Sequence, residues 1–287
     1  MPTIWINGEW ADRASATVSV YDHGLLYGDG VFEGTRVYDG RAFRLDEHLD
    51  RFYDSARAIL IDVPISKSEF TTITEEAIRR SGLRDAYLRH VITRGVGDLG
   101  LDPRKCGAPT IFLIVDEIRL FAPEVYEQGL RVVTAATPMP HRESLSPRVK
   151  SLNYLVHILA RIEAIQAGAD EALMLDSTGF VAEGSVQNLF VVKGGVVRTP
   201  PAYAGILKGV TRGVVLELAR AAGHDAREEP LNRYDVYTAD EAFFTGTASE
   251  IIAIRELDGR AIGGGAAGPV TRDLTARFRA LVRGAGS

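Results

Sequence analysis

Lysine is scarce in this chain: of 33 basic residues, five are lysine and 28 are arginine. Arginine stands wherever a generic surface cation is needed, so each remaining lysine invites a specific reason. Cysteine occurs once, at Cys106, which excludes an intrachain disulfide framework and fits a reducing, cytoplasmic setting. As a lone thiol beside a loop proline, Cys106 reads as inert. The six histidines (23, 48, 90, 141, 157 and 224) show no metal-ligand spacing, so no metal site is expected. No apolar run reaches the length of a membrane span, and Met1-Pro2-Thr3-Ile4-Trp5 lacks the basic and apolar regions of a signal peptide. Positive charge is not in excess either. The formal net charge of −5 leaves no basic footprint for nucleic acid or an anionic membrane. What remains is an ordinary globular composition, 46% apolar and 25% charged, on 287 residues, enough for two domains or one two-lobed domain.

Four of the five lysines have bland settings. Lys67 lies in the polar start of a predicted helix, Lys105 in a loop beside Pro103, Lys193 in a Lys-Gly-Gly turn, and Lys208 at a helix start. Lys150 instead precedes Ser151-Leu152-Asn153-Tyr154-Leu155-Val156, the entry to an apolar segment. Arginine cannot replace a lysine used as an amine, because a guanidinium stays protonated while a desolvated ammonium can release its proton. Composition alone leaves two readings open: an amine nucleophile, or a lysine that snorkels or pairs with a carboxylate.

Periodicity gives the organisation. Asp39-Gly40 separates residues 31–38 from 41–44, a hairpin signal. Leu45, Leu49, Phe52, Ala56 and Leu60 form one helical stripe over 45–60, and a second helix spans 66–81 up to Gly82. Strand-like runs follow at 87–93 and 110–115, then a mixed segment that reads as an interdomain connection. The division expected is a small N-terminal α/β domain over 1–117, a linker over 118–128, and a large C-terminal domain over 129–287. In the latter, a strand at 130–136 precedes a buried helix over about 153–167. Short strands follow near 171–175, 180–182, 188–192 and 196–198, then a helix at 209–222, strands near 241–245 and 250–255, and a terminal helix. The pattern predicts an α+β protein of two lobes with its site in the cleft between them.

Three segments give Lys150 a context. Leu207-Lys208-Gly209-Val210-Thr211 opens an amphipathic helix whose free N–H groups and threonine hydroxyl suit a phosphate, or form an ordinary helix start. Thr245-Gly246-Thr247-Ala248-Ser249 is a small-residue turn that either presents N–H groups to an anion or is a tight corner. Glu183, followed by Gly184-Ser185, interrupts a strand-like run, so it either faces water or meets a cation inside. An amine, an anion cradle and a buried carboxylate together suit pyridoxal phosphate, which needs a lysine, a phosphate seat and a partner for its ring nitrogen.

The order of several short motifs goes further. Tyr27-Gly28-Asp29-Gly30-Val31-Phe32-Glu33-Gly34, His48-Leu49-Asp50-Arg51, Tyr87-Leu88-Arg89, Lys150-Ser151-Leu152-Asn153-Tyr154, Glu183-Gly184-Ser185 with Asn188-Leu189-Phe190, and Thr245-Gly246-Thr247-Ala248-Ser249-Glu250 follow one another over nearly the whole chain. In this the chain resembles the class IV aminotransferases, and within them the branched-chain amino acid aminotransferases. The resemblance implies the D-amino acid aminotransferase-like fold of fold-type IV pyridoxal-phosphate enzymes, a cytoplasmic homodimer or assembly of dimers, and amino acids and 2-oxo acids as small-molecule partners. It implies Lys150 as Schiff-base lysine and proton shuttle, Glu183 at the pyridine nitrogen and Tyr154 at the ring's phenolic oxygen. Arg51, Gly209, Val210, Thr211 and Thr247 would hold the phosphate, and Leu207 would pack on the ring. Without the resemblance, Arg51 reads as a helix-surface ion pair with Glu47 or Asp54. Tyr87, Arg89 and the Thr247-Ala248 backbone would receive the substrate carboxylate. Phe32, Gly34 and Tyr27, the last from the partner subunit, would form the side-chain pocket. An apolar pocket separates isoleucine from valine by only ~1–3 kcal/mol, so breadth among aliphatic donors follows.

Two rivals share the resemblance. D-amino acid aminotransferases typically carry an Arg-x-His element where this chain reads Val96-Gly97-Asp98-Leu99-Gly100-Leu101-Asp102-Pro103. Aminodeoxychorismate lyases fit Thr245-Gly246-Thr247-Ala248 less well. Val186-Gln187 departs from the Gly-Glu or Gly-Asp usual after the Glu-Gly-small element, and Glu117 and Leu120 stand where some relatives have tryptophan and tyrosine.

Overall fold

The structure is a computed structural model that describes residues 3–118 and 121–284. Leu120 lies outside the described residues. The chain divides into two compact units, one of Met1–Ile118 with Val149–Asn153, the other of Arg119–Arg148 with Tyr154–Ser287.

The first unit is built on β1 (Thr3–Ile6), β2 (Glu9–Ala11), α1 (His23–Tyr27), β3 (Gly30–Tyr38), β4 (Arg41–Ala42), α2 (Leu45–Ala58), α3 (Lys67–Ser81), β5 (Ala86–Thr93) and β6 (Thr110–Asp116). Its six strands form one sheet in the order β2-β1-β6-β5-β3-β4, antiparallel throughout. The hairpin expected at Asp39-Gly40 is present, with both residues at positive φ as a two-residue turn demands. A second such turn, Asn7-Gly8, joins β1 to β2. Helix α3 opens with a capping box, Ser66 Oγ accepting from Glu69 N while Glu69 accepts from Ser66 N.

Successive residues of a strand face opposite sides. In the register of β3 with β5, Gly34 pairs with Arg89 and Phe32 with Val91, while Glu33 pairs with His90 and Val31 with Ile92. One face packs on Leu49 and Phe52 of α2 and Phe70 of α3. The other carries Phe32, Gly34 and Arg89.

The second unit contains α4 (Pro123–Gln128), β7 (Leu130–Thr134), α5 (Leu155–Gln166), β8 (Glu171–Leu175), β9 (Val181–Gly184), β10 (Asn188–Lys193), β11 (Val196–Thr199), α6 (Val210–Ala221), β12 (Ala226–Glu228), α7 (Arg233–Tyr237), β13 (Glu241–Gly246), β14 (Glu250–Leu257), β15 (Arg260–Ala261) and α8 (Pro269–Gly284). Eight strands run in the order β12-β11-β10-β13-β14-β7-β8-β9, with β15 pairing β14. Its core holds Leu130, Leu189, Val191, Phe244, Ile252 and Ile254.

Two expectations need correction. The helix at 153–167 is not buried: Ala160 and Ala164 pack inward, but Leu155, Ile158, Leu159, Ile162 and Ile165 are 43–66% exposed. Apolar residues on nearly every face suggest burial, yet among the described residues the apolar packing is made by Val156, Ala160 and Ala164. The segment 149–153 also leaves the expected C-terminal domain for the first unit. It runs beside β3, with Phe32 N donating to Lys150 O (2.9 Å) and Leu152 N to Gly30 O (2.9 Å). A side chain at Gly30 would collide with Ile92 O and Leu152, which is why glycine stands there. The stretch expected as a linker supplies α4, which packs against β14.

Candidate active site

In the first unit the site is built around Lys150. Pairing with β3 fixes its backbone, and Lys150 N donates to Ser55 Oγ (3.2 Å). Its Nζ lies 4.6 Å from the centre of the Phe32 ring. Part of the residue still meets solvent, but the surrounding protein displaces most water from the amine. That burial lowers the ammonium from the ordinary 10.5 to about 8. Arg51 and Arg89 push the same way, while Glu33 and Tyr87 partly oppose it.

Arg51 is oriented from behind by Glu33. Glu33, fully buried, accepts from Arg51 Nε at 2.5 Å and from Nη2 at 2.9 Å. The same carboxylate meets His48 Nδ1 at 2.9 Å and accepts from Gly34 N at 3.2 Å. Burial alone would raise the Glu33 carboxyl, but the Arg51 charge and the bonds from His48 and Arg51 hold it far below the usual range. The acidic partner of Arg51 is thus Glu33 rather than the Glu47 or Asp54 expected from helix spacing; Glu47 pairs with Arg44 instead.

On the other sheet face, Arg89 lies against two rings, its guanidinium carbon 4.5 Å from the centre of Phe32 and 5.6 Å from that of Tyr87. It has no carboxylate partner among the described residues. Gly34 sits under the Tyr87 hydroxyl, which a Cβ at that position would strike. Tyr27 ends α1, with its ring edge-on to His23 and its hydroxyl accepting from Gly100 N (2.9 Å).

The second unit carries the other set. Glu183 lies in β9, 5% exposed, and accepts from Asn188 Nδ2 (2.9 Å) and Leu207 N (3.1 Å). Asn188 also donates to Leu207 O (2.9 Å), so it ties the carboxylate to the chain just before α6. A side chain at Gly209 would displace Asn188 Oδ1, so glycine is required for this approach. Gly209 caps α6 without any side-chain bond, leaving the first N–H groups of Val210 and Thr211 directed out of the helix end. Helix α6 thus begins two residues after Lys208, not at it.

The Thr245–Ser249 turn joins β13 to β14. Thr247 and Ala248 are half-buried at its tip. Beside them Thr245 Oγ1, Ser249 Oγ and both amide atoms of Gln187 are buried without hydrogen-bond partners among the described residues. Tyr154 precedes α5, its ring stacked on His157 at 4.4 Å. Asn188 and Glu33 stood in the quoted motifs, but nothing in spacing showed which atoms they would hold.

Comparison with known proteins defines the class. The family described as Amino-transferase class IV matches residues 30–257, and this chain belongs to it. A relative from Methanocaldococcus jannaschii is 53% identical over 276 residues, 96% of this chain and 95% of its own length. The branched-chain-amino-acid aminotransferase of Pseudomonas aeruginosa is 42% identical over 286 residues, 98% of this chain and 93% of that one. The crystal structure of a T.th. branched-chain amino acid aminotransferase with pyridoxamine 5'-phosphate matches with a TM-score of 0.94 at 36% identity, covering 98% of this chain and 94% of the other. The two-unit α+β architecture is therefore that of the fold-type IV aminotransferases.

Proposed function

We propose that the chain is a pyridoxal-phosphate-dependent transaminase that moves the amino group of L-leucine, L-isoleucine or L-valine to 2-oxoglutarate, giving the 2-oxo acid and L-glutamate. The observation that carries this is Lys150, an amine lowered to about 8 beside the Arg51–Glu33 pair. The names and ligands of the relatives point the same way.

The residues present fit the cofactor. Thr211, the uncapped start of α6 and the orphaned hydroxyls around the 245–249 turn form a neutral, N–H-rich surface suited to a phosphate. Arg51 adds the charge. Glu183 supplies an anion for a protonated ring nitrogen, Tyr154 a phenol, and Leu207 an apolar surface. When bound, pyridoxal phosphate supplies an aldehyde for amines and a ring that withdraws the electron pair left by a departing α-proton.

The chain's own residues do the rest. Burial makes the neutral amine of Lys150 easier to reach than that of an exposed lysine. Lys150 Nζ would then take the substrate's α-proton and return it on the far side of the transferred nitrogen, in both halves of a ping-pong cycle. Arg89 and Tyr87, with the Thr247-Ala248 backbone, orient the substrate carboxylate. Phe32 and Gly34, with Tyr27 of a second copy, exclude water from the aliphatic side chain. Val186 is exposed and Gln187 buried, and both Gln187 Cγ and the Val186 carbonyl lie against Gly246 of the 245–249 turn.

Among the described residues no helix is long and apolar enough to cross a membrane. We assign the protein to the cytoplasm, as a homodimer or an assembly of dimers. The open apolar face of α5 and the exposed Leu25 and Leu26 of α1 support association with further copies. A panel of amino donors, both enantiomers, with 2-oxoglutarate tests the activity. L-Branched-chain donors should dominate; preference for D-amino acids or (R)-amines would overturn the assignment.

A further inference from the structure

Tyr154 packs against His157. His157 lies one helical turn along α5, where side chains three residues apart share a face. The two rings are stacked, 4.4 Å between centres and 21° between planes. His157 Nδ1 stands 2.8 Å from Ser185 O. A carbonyl only accepts, so Nδ1 carries a proton and donates it.

Ser185 is a rigid anchor. It is 2% exposed, and its N–H (3.3 Å) and hydroxyl (2.5 Å) both donate to Glu171 Oε1, itself in a residue 1% exposed. Ser185 also follows Glu183 by two residues, at the end of β9. Stacking alone lets two rings slide over each other. A hydrogen bond from one ring atom to a fixed carbonyl holds the imidazole in place, and with it the plane against which the phenol packs.

We propose that His157 is a positioning residue: it fixes the Tyr154 ring and registers it against the strand end that carries Glu183, so that phenol and carboxylate meet opposite parts of one cofactor ring. This rests on the reading of Tyr154 and Glu183 as cofactor partners. An apolar residue at 157 would still pack against Tyr154 but would lose the bond that ties this stack to Ser185 O.

Three substitutions separate the parts. His157→Phe keeps a ring and loses the donor, His157→Asn keeps a donor near the Nδ1 position and loses the ring, and His157→Ala loses both. The measurements are the affinity of the cofactor-free protein for pyridoxal phosphate, by fluorescence, and the visible absorption maximum of the loaded protein. The unfolding temperature of the cofactor-free protein is read alongside. His157→Ala should weaken cofactor binding about tenfold and shift the absorption maximum. Phe and Asn should each recover part of both, with little change in unfolding temperature. In a Tyr154→Phe background, His157→Ala should have no further effect on affinity. If His157→Ala costs as much in that background as in the parent, or lowers only the unfolding temperature, the positioning role is wrong. A Tyr154→Phe protein with unchanged affinity and absorption would overturn the assignment of Tyr154 and this proposal with it. A sensitive Tyr154→Phe beside insensitive His157 variants would overturn this proposal alone.

Discussion

Glu33 grips the Arg51 guanidinium by two of its nitrogens, Nε at 2.5 Å and Nη2 at 2.9 Å, from a position with no solvent exposure. A buried carboxylate held this way is itself stabilised and, in turn, aims the arginine. Removing one partner of a buried pair leaves the other uncompensated. Glu33→Gln should destabilise the protein by roughly 3–5 kcal/mol, measured by denaturant unfolding. The Glu33 carboxyl is far below its ordinary 4.5 in the fold. Its contribution is therefore complete above that ordinary value and declines only as pH falls toward the low folded value. The gap between parent and variant should be constant from neutral pH down to about 4.5 and narrow below it; a gap that narrows nearer neutrality contradicts this.

Lys150 has the opposite sense. Its folded value, about 8, is below the ordinary 10.5, so the folded chain binds this proton more weakly than the unfolded chain does. The ammonium costs stability at all pH below 8, and the cost fades as pH rises from 8 to 10.5. Lys150→Met should stabilise the cofactor-free protein by roughly 1–3 kcal/mol at pH ~7 and by little at pH ~10. The same gain at both pH values would show that desolvation of the amine is not the cause.

Transamination should vanish in Lys150→Ala and be no better in Lys150→Arg, because arginine cannot act as the amine. The parent should be yellow with cofactor, and borohydride should bleach it. Normal turnover in either variant removes Lys150 from the mechanism.

Glu183→Gln keeps the volume and an oxygen for Asn188 and Leu207, but loses the charge. Cofactor should remain bound while kcat falls at least ~10²-fold, in line with other losses of a preorganised charged group. Full activity with cofactor retained would make Glu183 a structural strand residue.

Ile158→Glu with Ile162→Glu places two charges on the exposed face of α5. If that face joins copies of the chain, light scattering should show a smaller assembly than the parent forms. An unchanged mass would free α5 from any such role.

Local elements were legible because their signals are local. Ser66 and Gly82 bracket α3, Asp39-Gly40 turns β3 into β4, and Gly209 starts α6, each through backbone chemistry within a few residues. The β1–β2 hairpin carries the same kind of signal at Asn7-Gly8. Long-range partners carry none: Glu33 meets Arg51 only because α2 folds back on β3, and Asn188 meets Leu207 only through the layout of β10 and α6. The exposure of α5 was invisible for a related reason, since hydrophobicity reports what a face tends to bury, not whether this chain supplies the cover.

The return of residues 149–153 to the first unit has a consequence for biosynthesis. Val31 bridges to Ser151 across about 120 residues of chain. A ribosome that has released the whole six-stranded sheet has still not delivered the segment that carries the amine. The first unit must hold that edge of β3 open while α4 and β7 emerge, and it is completed only once residue 153 is free. A fragment ending near residue 118 would consequently lack Lys150 and the backbone that pairs with Gly30 and Phe32, and the surroundings of the amine could be restored only by supplying that short segment in trans.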